Sequence, residues 1–317
     1  MLKTSVVGCG KMGKNHLRVY SEIPDVKIIS KVDTAIVDVN INLLKKDIKV
    51  FTDYKEMIEY EKPDLISICV PTSVHYEVAK YCLENGINVL LEKPICSSIK
   101  EAEELLKLVN DNNVKLLVGH IERFNSVLIK AKEMIKNGEL GDIIALMSRR
   151  VGVFPPQIKD ADIAVDLAIH DIDIANFLLE DLPYEVSINK QRNLIENRED
   201  SVELFLKYKN ASAYIQANWV TPVKIRKLCI TGTKGYLELD YIKQEIEFYK
   251  SNYKKFKETI DNFSDYVVNF SEPDKILISL AKKEPLKEEI LYFINCINNN
   301  VEVNSIFALN ALKIALT

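Results

Sequence analysis

The chain has 317 residues, with 42 basic against 46 acidic side chains and a formal net charge of −4. At 47% apolar and 28% charged residues it has the mixture of a globular protein long enough for two cores. The acidic balance excludes nucleic acid as the main partner, because a phosphate backbone selects a basic surface. No apolar run approaches the roughly 20 residues of a membrane span, so no membrane partner is expected.

Short apolar runs predict strands at residues 2–7, 26–32, 49–51, 65–70, 88–91 and 115–119. Helical patterns at 75–84 and 98–112 lie between them, so the strands read as a parallel sheet covered on both faces. The run at 26–32 is the least regular, being interrupted by Lys27, Ser30 and Lys31. After residue 121 the rhythm changes. Helices are expected at 122–137 and 163–179, then strands at 184–190, 201–208, 213–220, 224–231, 236–241 and 245–249. Helices return at 286–298 and 305–316. Strands that follow strands predict an open, mostly antiparallel sheet, hence an α+β domain at 122–317 after an α/β domain at 1–121.

Gly8-Cys9-Gly10-Lys11-Met12-Gly13 follows the first strand and opens a helix. In that context Gly8 permits a tight turn and Gly10 lets the backbone approach a diphosphate. Gly13 allows the helix to pack closely on the strand, and the helix N-terminus supplies the N–H donors and dipole for an anion. Asp33, 20 residues past Gly13, ends the second strand. A carboxylate there accepts from the ribose hydroxyls and repels a 2′-phosphate; with Thr34 beside it and no Arg, the expected cofactor is NAD and not NADP. Pro71, Thr72 and His75 lie at the carboxyl end of another strand and are candidates to line the cofactor. For His75 a helix-capping or surface role is an equal alternative.

Glu92-Lys93-Pro94 closes the fifth strand, which brings Lys93 to the mouth of the crevice. On spacing alone such a lysine is a surface charge more often than a catalyst. Asp166 and His170 stand four residues apart within an apolar helical stretch, which predicts one shared face and burial. A buried ionisable pair is a site candidate. The two side chains otherwise satisfy each other, or His170 ligates a metal. No third ligand stands at a convincing spacing, so no metal is expected. The six cysteines lack CxxC spacing, which predicts free thiols in a reducing, cytoplasmic compartment.

The Gly-rich turn, the Glu92-Lys93-Pro94 tripeptide and the later Asp-x-x-x-His resemble the glucose–fructose oxidoreductase / inositol dehydrogenase / MocA (Gfo/Idh/MocA) family. That resemblance covers essentially the whole chain. It implies an N-terminal Rossmann doubly wound parallel sheet at 1–121 and a substrate-binding, oligomerising domain at 122–317. It also implies hydride transfer between a nicotinamide cofactor and a sugar or cyclitol carbon, and a homodimer or homotetramer associated through the C-terminal sheet. Lys93, His170 and Asp166 become the catalytic candidates, and Glu92 a candidate to position the nicotinamide ribose. Gly119 to Asn125, Arg149 to Pro156, Asp166 to Asp173 and Trp219 to Lys224 further resemble the UDP-N-acetylglucosamine 3-dehydrogenase branch. Ser126 and the Ala161-Asp162 approach depart from that branch. Only 7 of the 42 basic residues are Arg, and Arg123, Arg149 and Arg150 all fall in these motifs. A nucleotide-sugar diphosphate suits such forked donors. Phe124 or Phe154, with Asn125 and His170, completes the expected substrate contacts. The alternatives are that one Arg pairs with a helix carboxylate while another lies on the surface, that the substrate is another sugar or inositol, or that the chain is a non-catalytic NAD-binding regulator.

Overall fold

The computed structural model describes residues 1–33, 48–154, 162–251 and 274–317. Thr34, Pro155, Pro156 and Ala161 lie outside the described residues. The chain forms two compact units. The first gathers residues 1–124 with 156–173 and 284–317, and the second takes 125–155 and 174–283. The expected division at 121/122 therefore falls near the end of the first segment only. Two later segments return to the N-terminal unit.

In the first unit β1 (Leu2–Val7), β2 (Val26–Val32), β3 (Lys49–Phe51), β4 (Leu65–Ile68), β5 (Asn88–Glu92) and β6 (Leu116–Gly119) form one sheet. Its order is β3-β2-β1-β4-β5-β6 and every pair is parallel. Consecutive residues of β1, β4 and β5 are buried, as strands covered on both faces must be. The irregular run at 26–32 forms a strand because its polar residues find partners: the Ser30 hydroxyl meets that of Ser5 on β1 at 2.7 Å. Helix α1 (Lys11–Ser21) carries Leu17 and Tyr20 into a core shared with Ile290 and Phe293 of α7 (Pro285–Asn298). Each such buried side chain contributes about 1.5–3 kcal/mol. Four further helices belong to this unit: α2 (Tyr54–Glu61), α3 (His75–Glu84), α4 (Ile99–Asp111) and α8 (Ile306–Ala315).

The second unit holds an eight-stranded sheet of order β14-β13-β12-β11-β7-β10-β9-β8. Its strands are β7 (Ile143–Val153), β8 (Glu185–Gln191), β9 (Ser201–Lys207), β10 (Ser212–Asn218), β11 (Val220–Gly232), β12 (Gly235–Asp240), β13 (Glu245–Lys250) and β14 (Lys275–Ile278). Only β7–β10 is parallel. Two of these strands, β7 and β14, were not expected. The helix expected at 122–137 is a 3₁₀ turn (Ile121–Phe124) followed by α5 (Ser126–Lys136). Asn125 breaks it by capping α5, its Oδ1 accepting from the Val127 N–H at 3.3 Å.

The stretch at 163–179 is likewise divided. A π-helical turn (Ala164–Ala168) precedes α6 (Ile169–Leu179). Among the described residues no helix is long and apolar enough to cross a membrane. All six cysteines are free thiols.

Candidate active site

The strand order reverses between β1 and β4, where open α/β sheets bind ligands beyond the carboxyl ends of their strands. Gly8 follows β1 there with φ +89°, and a Cβ on it would stand 2.5 Å from the Cys69 carbonyl oxygen. A Cβ on Gly13 would stand 1.8 Å from the Gly8 carbonyl oxygen, so both glycines are required by backbone contact. Gly10 differs: a methyl group on it would meet no described atom within 4 Å. It is the N-cap of α1, with no side-chain cap and no acid in the first turn. By contrast Ser98 and Glu101 close a capping box on α4. The first N–H groups of α1 are thus open to an anion, as a diphosphate needs. Lys11 and Met12 begin that turn. The Asp33 carboxylate reaches the same turn, accepting from the Cys9 N–H at 2.7 Å. These residues fit a dinucleotide.

Pro71 is exposed and Thr72 half-buried in a 3₁₀ turn beyond β4. His75 is neither a surface residue nor the N-cap of α3, which is Val74. It is buried, with Nδ1 2.8 Å from the Pro94 carbonyl oxygen and Nε2 3.0 Å from that of Val70, tying two strand exits together.

At the end of β5, Lys93 donates to the Asp166 carboxylate at 2.9 Å and to the Asp166 carbonyl oxygen at 2.7 Å. Lys93 and Asp166 retain 18% and 13% exposure, enough for one face of the pair to be reachable. The Lys93–Pro94 peptide is cis. Asp162 prepares this arrangement by accepting from the Ala164 and Val165 N–H groups, which caps the π-helical turn. A four-residue spacing lines up along an α-helix but not across a π-helical turn. Asp166 accordingly turns to Lys93.

His170 opens α6, and its ring stands edge-on to that of His120 with centroids 6.5 Å apart. His120, just past β6, is a residue the sequence reading did not select. Burial holds its imidazole below the usual histidine range, opposed by Asp173, whose carboxylate lies 3.5 Å away. Arg123 clamps that same Asp173 with two hydrogen bonds of 2.6 Å, its guanidinium 4.7 Å from the Phe307 ring. Pairing with a helix carboxylate, the alternative weighed for one arginine, describes Arg123. Phe124 packs on Tyr292 with centroids 5.4 Å apart.

The remaining expected substrate contacts belong to the second unit. Arg149 and Arg150 are adjacent on β7, so strand alternation points them to opposite sheet faces. Arg149 is exposed, whereas Arg150 is buried with its guanidinium 5.5 Å from the Tyr241 ring. Asn125 is buried too, donating to the Tyr241 carbonyl oxygen at 3.2 Å.

Beneath the cofactor turn, His16, Cys69 and Glu92 offer donor atoms within 4.8 Å of one another. Both His16 nitrogens are already engaged, at 3.1 Å by Ser67 and 3.0 Å by Glu92, and burial raises the Cys69 thiol well above its usual range. His16 and Glu92 therefore form a hydrogen-bonded pair with the Cys69 thiol close by. Glu289 of α7 is wholly buried, and neither carboxyl oxygen has a hydrogen-bond partner among the described residues. Burial, then the nearby Glu92, hold it protonated far above its ordinary value of 4.5. A carboxyl raised in the folded state contributes no penalty below pH 4.5 but costs about 1.4 kcal/mol per pH unit above it, until the folded value is passed. Glu289→Gln should consequently be increasingly more stable than the native chain as pH rises above 4.5, read by denaturant midpoints across pH. A constant difference would contradict the assignment.

A parallel sheet in this order, with a Gly-rich turn at its reversal, defines a dinucleotide-binding domain. Residues 2–120 match the oxidoreductase family model described as an NAD-binding Rossmann fold, and 128–238 match the GFO/IDH/MocA C-terminal domain. The chain belongs to the Gfo/Idh/MocA family of oxidoreductases, and its cofactor is NAD. It is 23% identical over 298 residues to UDP-N-acetylglucosamine 3-dehydrogenase of Acidithiobacillus ferrooxidans, covering 93% of this chain and 88% of that protein. A solved structure of that enzyme superposes with TM-score 0.84, covering 99% of this chain and 95% of the other at 23% identity. Myo-inositol 2-dehydrogenase of Lactobacillus plantarum superposes with TM-score 0.79 at 22% identity, covering 99% and 95%. An uncharacterised oxidoreductase of Bacillus subtilis is 32% identical over 186 residues, 56% of this chain and about half (53%) of that protein.

Proposed function

We propose that the protein oxidises the C3 hydroxyl of UDP-N-acetylglucosamine to the 3-keto sugar nucleotide with NAD as acceptor. The observation that carries an alcohol oxidation is Lys93, held by Asp166 at 2.9 Å at the carboxyl end of β5. The particular substrate is supported by the similarity to the Acidithiobacillus enzyme along nearly the whole chain. Bound NAD supplies the hydride acceptor. The Gly8–Gly13 turn and the start of α1 hold its diphosphate, Asp33 its adenosine ribose, and Glu92 its nicotinamide ribose.

Lys93 donates to the substrate oxygen and stabilises the negative charge that develops there. His170 takes the hydroxyl proton, a task suited to an imidazole near neutral pH. Asp166 fixes the Lys93 ammonium, so its part is orientation of the lysine. In the second unit, Met147, Tyr214 and Phe205 share one cross-strand row on the exposed sheet face, Met147 and Phe205 being 57% and 40% exposed. That apolar row is the surface through which two copies would associate.

One observation favours a second reading, a free sugar or cyclitol as substrate. Arg123 is held by two hydrogen bonds to Asp173, and Arg149 and Arg150 point to opposite faces of β7. Incubation with NAD and, separately, UDP-N-acetylglucosamine, myo-inositol and glucose decides between them. NADH formation confined to the nucleotide sugar supports the first reading, and turnover of only the free compounds overturns it.

A further inference from the structure

Three buried polar side chains and the half-buried Glu92 form one hydrogen-bonded line behind the Gly-rich turn. His16 of α1 stands one turn beyond Gly13 and is 1% exposed. Its Nδ1 lies 3.1 Å from the Ser67 hydroxyl on β4, and its Nε2 lies 3.0 Å from Oε1 of Glu92, the last residue of β5. Tyr20, one turn further along α1, meets the same Ser67 hydroxyl at 2.7 Å. The direction of this line follows from donor arithmetic. A carboxylate only accepts, so toward Glu92 the imidazole presents Nε2–H. In the neutral imidazole Nδ1 then accepts, so Ser67 donates to it and is left to accept from the Tyr20 hydroxyl. Each group in the line uses its neighbour once, and a chain of this kind stiffens all its members.

We propose that His16 is a positioning residue which, through its Nε2–H, fixes the Glu92 carboxylate at the carboxyl end of β5 beside Lys93. The proposal rests on reading Glu92 as the contact to the nicotinamide ribose. Without the imidazole, the Glu92 carboxylate loses a charge-assisted hydrogen bond from a rigid buried donor. Ser67 and Tyr20 do not reach Glu92 themselves, so they act on it only through the His16 tautomer. Burial and the nearby Glu92 raise the Glu289 carboxyl well above its ordinary value, which works against a second negative charge beside Glu92.

Two measurements test this. With only four histidines in the chain, nitrogen NMR of the imidazoles resolves the His16 tautomer without turnover. The Nε2–H form is expected, and a neutral Nδ1–H form overturns the proposal. In titration calorimetry, His16→Ala should weaken NAD by about ten- to a hundredfold, the cost of a hydrogen bond to a charged group. It should raise KM for NAD while leaving KM for the sugar substrate unchanged, and His16→Gln, with an amide N–H for Glu92, should recover most of the loss. Unchanged NAD affinity in a folded His16→Ala protein overturns the proposal. Glu92→Gln separates the premise from the inference: a variant binding NAD as tightly as the native chain refutes the reading of Glu92 itself. Should His16→Ala fail to fold, the tautomer and the glutamine variant still decide.

Discussion

Replacing Lys93 by alanine is expected to lower kcat by about a hundredfold or more, the usual weight of a positioned proton-handling group. The Asp166 carboxylate and carbonyl both hold the ammonium, at 2.9 and 2.7 Å, so its loss removes a fixed charge and not a mobile one. NAD affinity should change little, because the Gly8–Gly13 turn and Asp33 are untouched. Lys93→Arg should not restore turnover, since a guanidinium cannot reproduce a point charge on those two acceptors. Steady-state kinetics with calorimetry of NAD binding check both statements. Near-native turnover in Lys93→Ala contradicts the assignment.

The second large effect is expected at Gly13, with Gly10 as its control. A methyl group on Gly13 would lie 1.8 Å from the Gly8 carbonyl oxygen, a backbone atom that no rotamer change removes. Helix α1 must then move off β1, at a cost of about 1–3 kcal/mol or more, and the N–H groups for the diphosphate move with it. Gly13→Ala should therefore lose both stability and NAD affinity. Gly10→Ala adds its methyl group to open space at an ordinary φ of −64°. It should keep the native unfolding midpoint and lose only NAD affinity. Equal behaviour of the two variants, by thermal unfolding and calorimetry, would contradict this division of roles.

Much of the first unit was legible because its strands are local apolar runs and its Gly-rich turn has fixed spacing. The bounds of β1, β2 and β3 agree with their predicted runs to the residue. Strand β7 was hidden because Ser148, Arg149, Arg150 and Gly152 interrupt its apolar run. Its partner β10 lies 67 residues later in parallel register, which no local pattern reports. Adjacent positions on a strand also face opposite ways, so Arg149 and Arg150, neighbours in one motif, lie on opposite faces of β7.

The Asp166–His170 spacing was read as α-helical, whereas a π-helical turn redirects Asp166 to Lys93. His16 and Glu289 had a signal in the sequence. Each interrupts an otherwise apolar helix stripe, beside Leu17 and Tyr20 in one case and Leu286, Ile290 and Phe293 in the other. A lone ionisable residue on such a stripe marks a buried polar group, but not its partner.

The central claim, oxidation of a nucleotide-sugar carbon by NAD at the Lys93–Asp166 site, is tested most directly with UDP-N-acetylglucosamine carrying deuterium at C3. The predicted result is deuterium recovered in the reduced nicotinamide, one equivalent for each 3-keto product, at a rate about a hundredfold or more lower in Lys93→Ala. Retention of the label in the sugar, or no reduced cofactor at all, would contradict it.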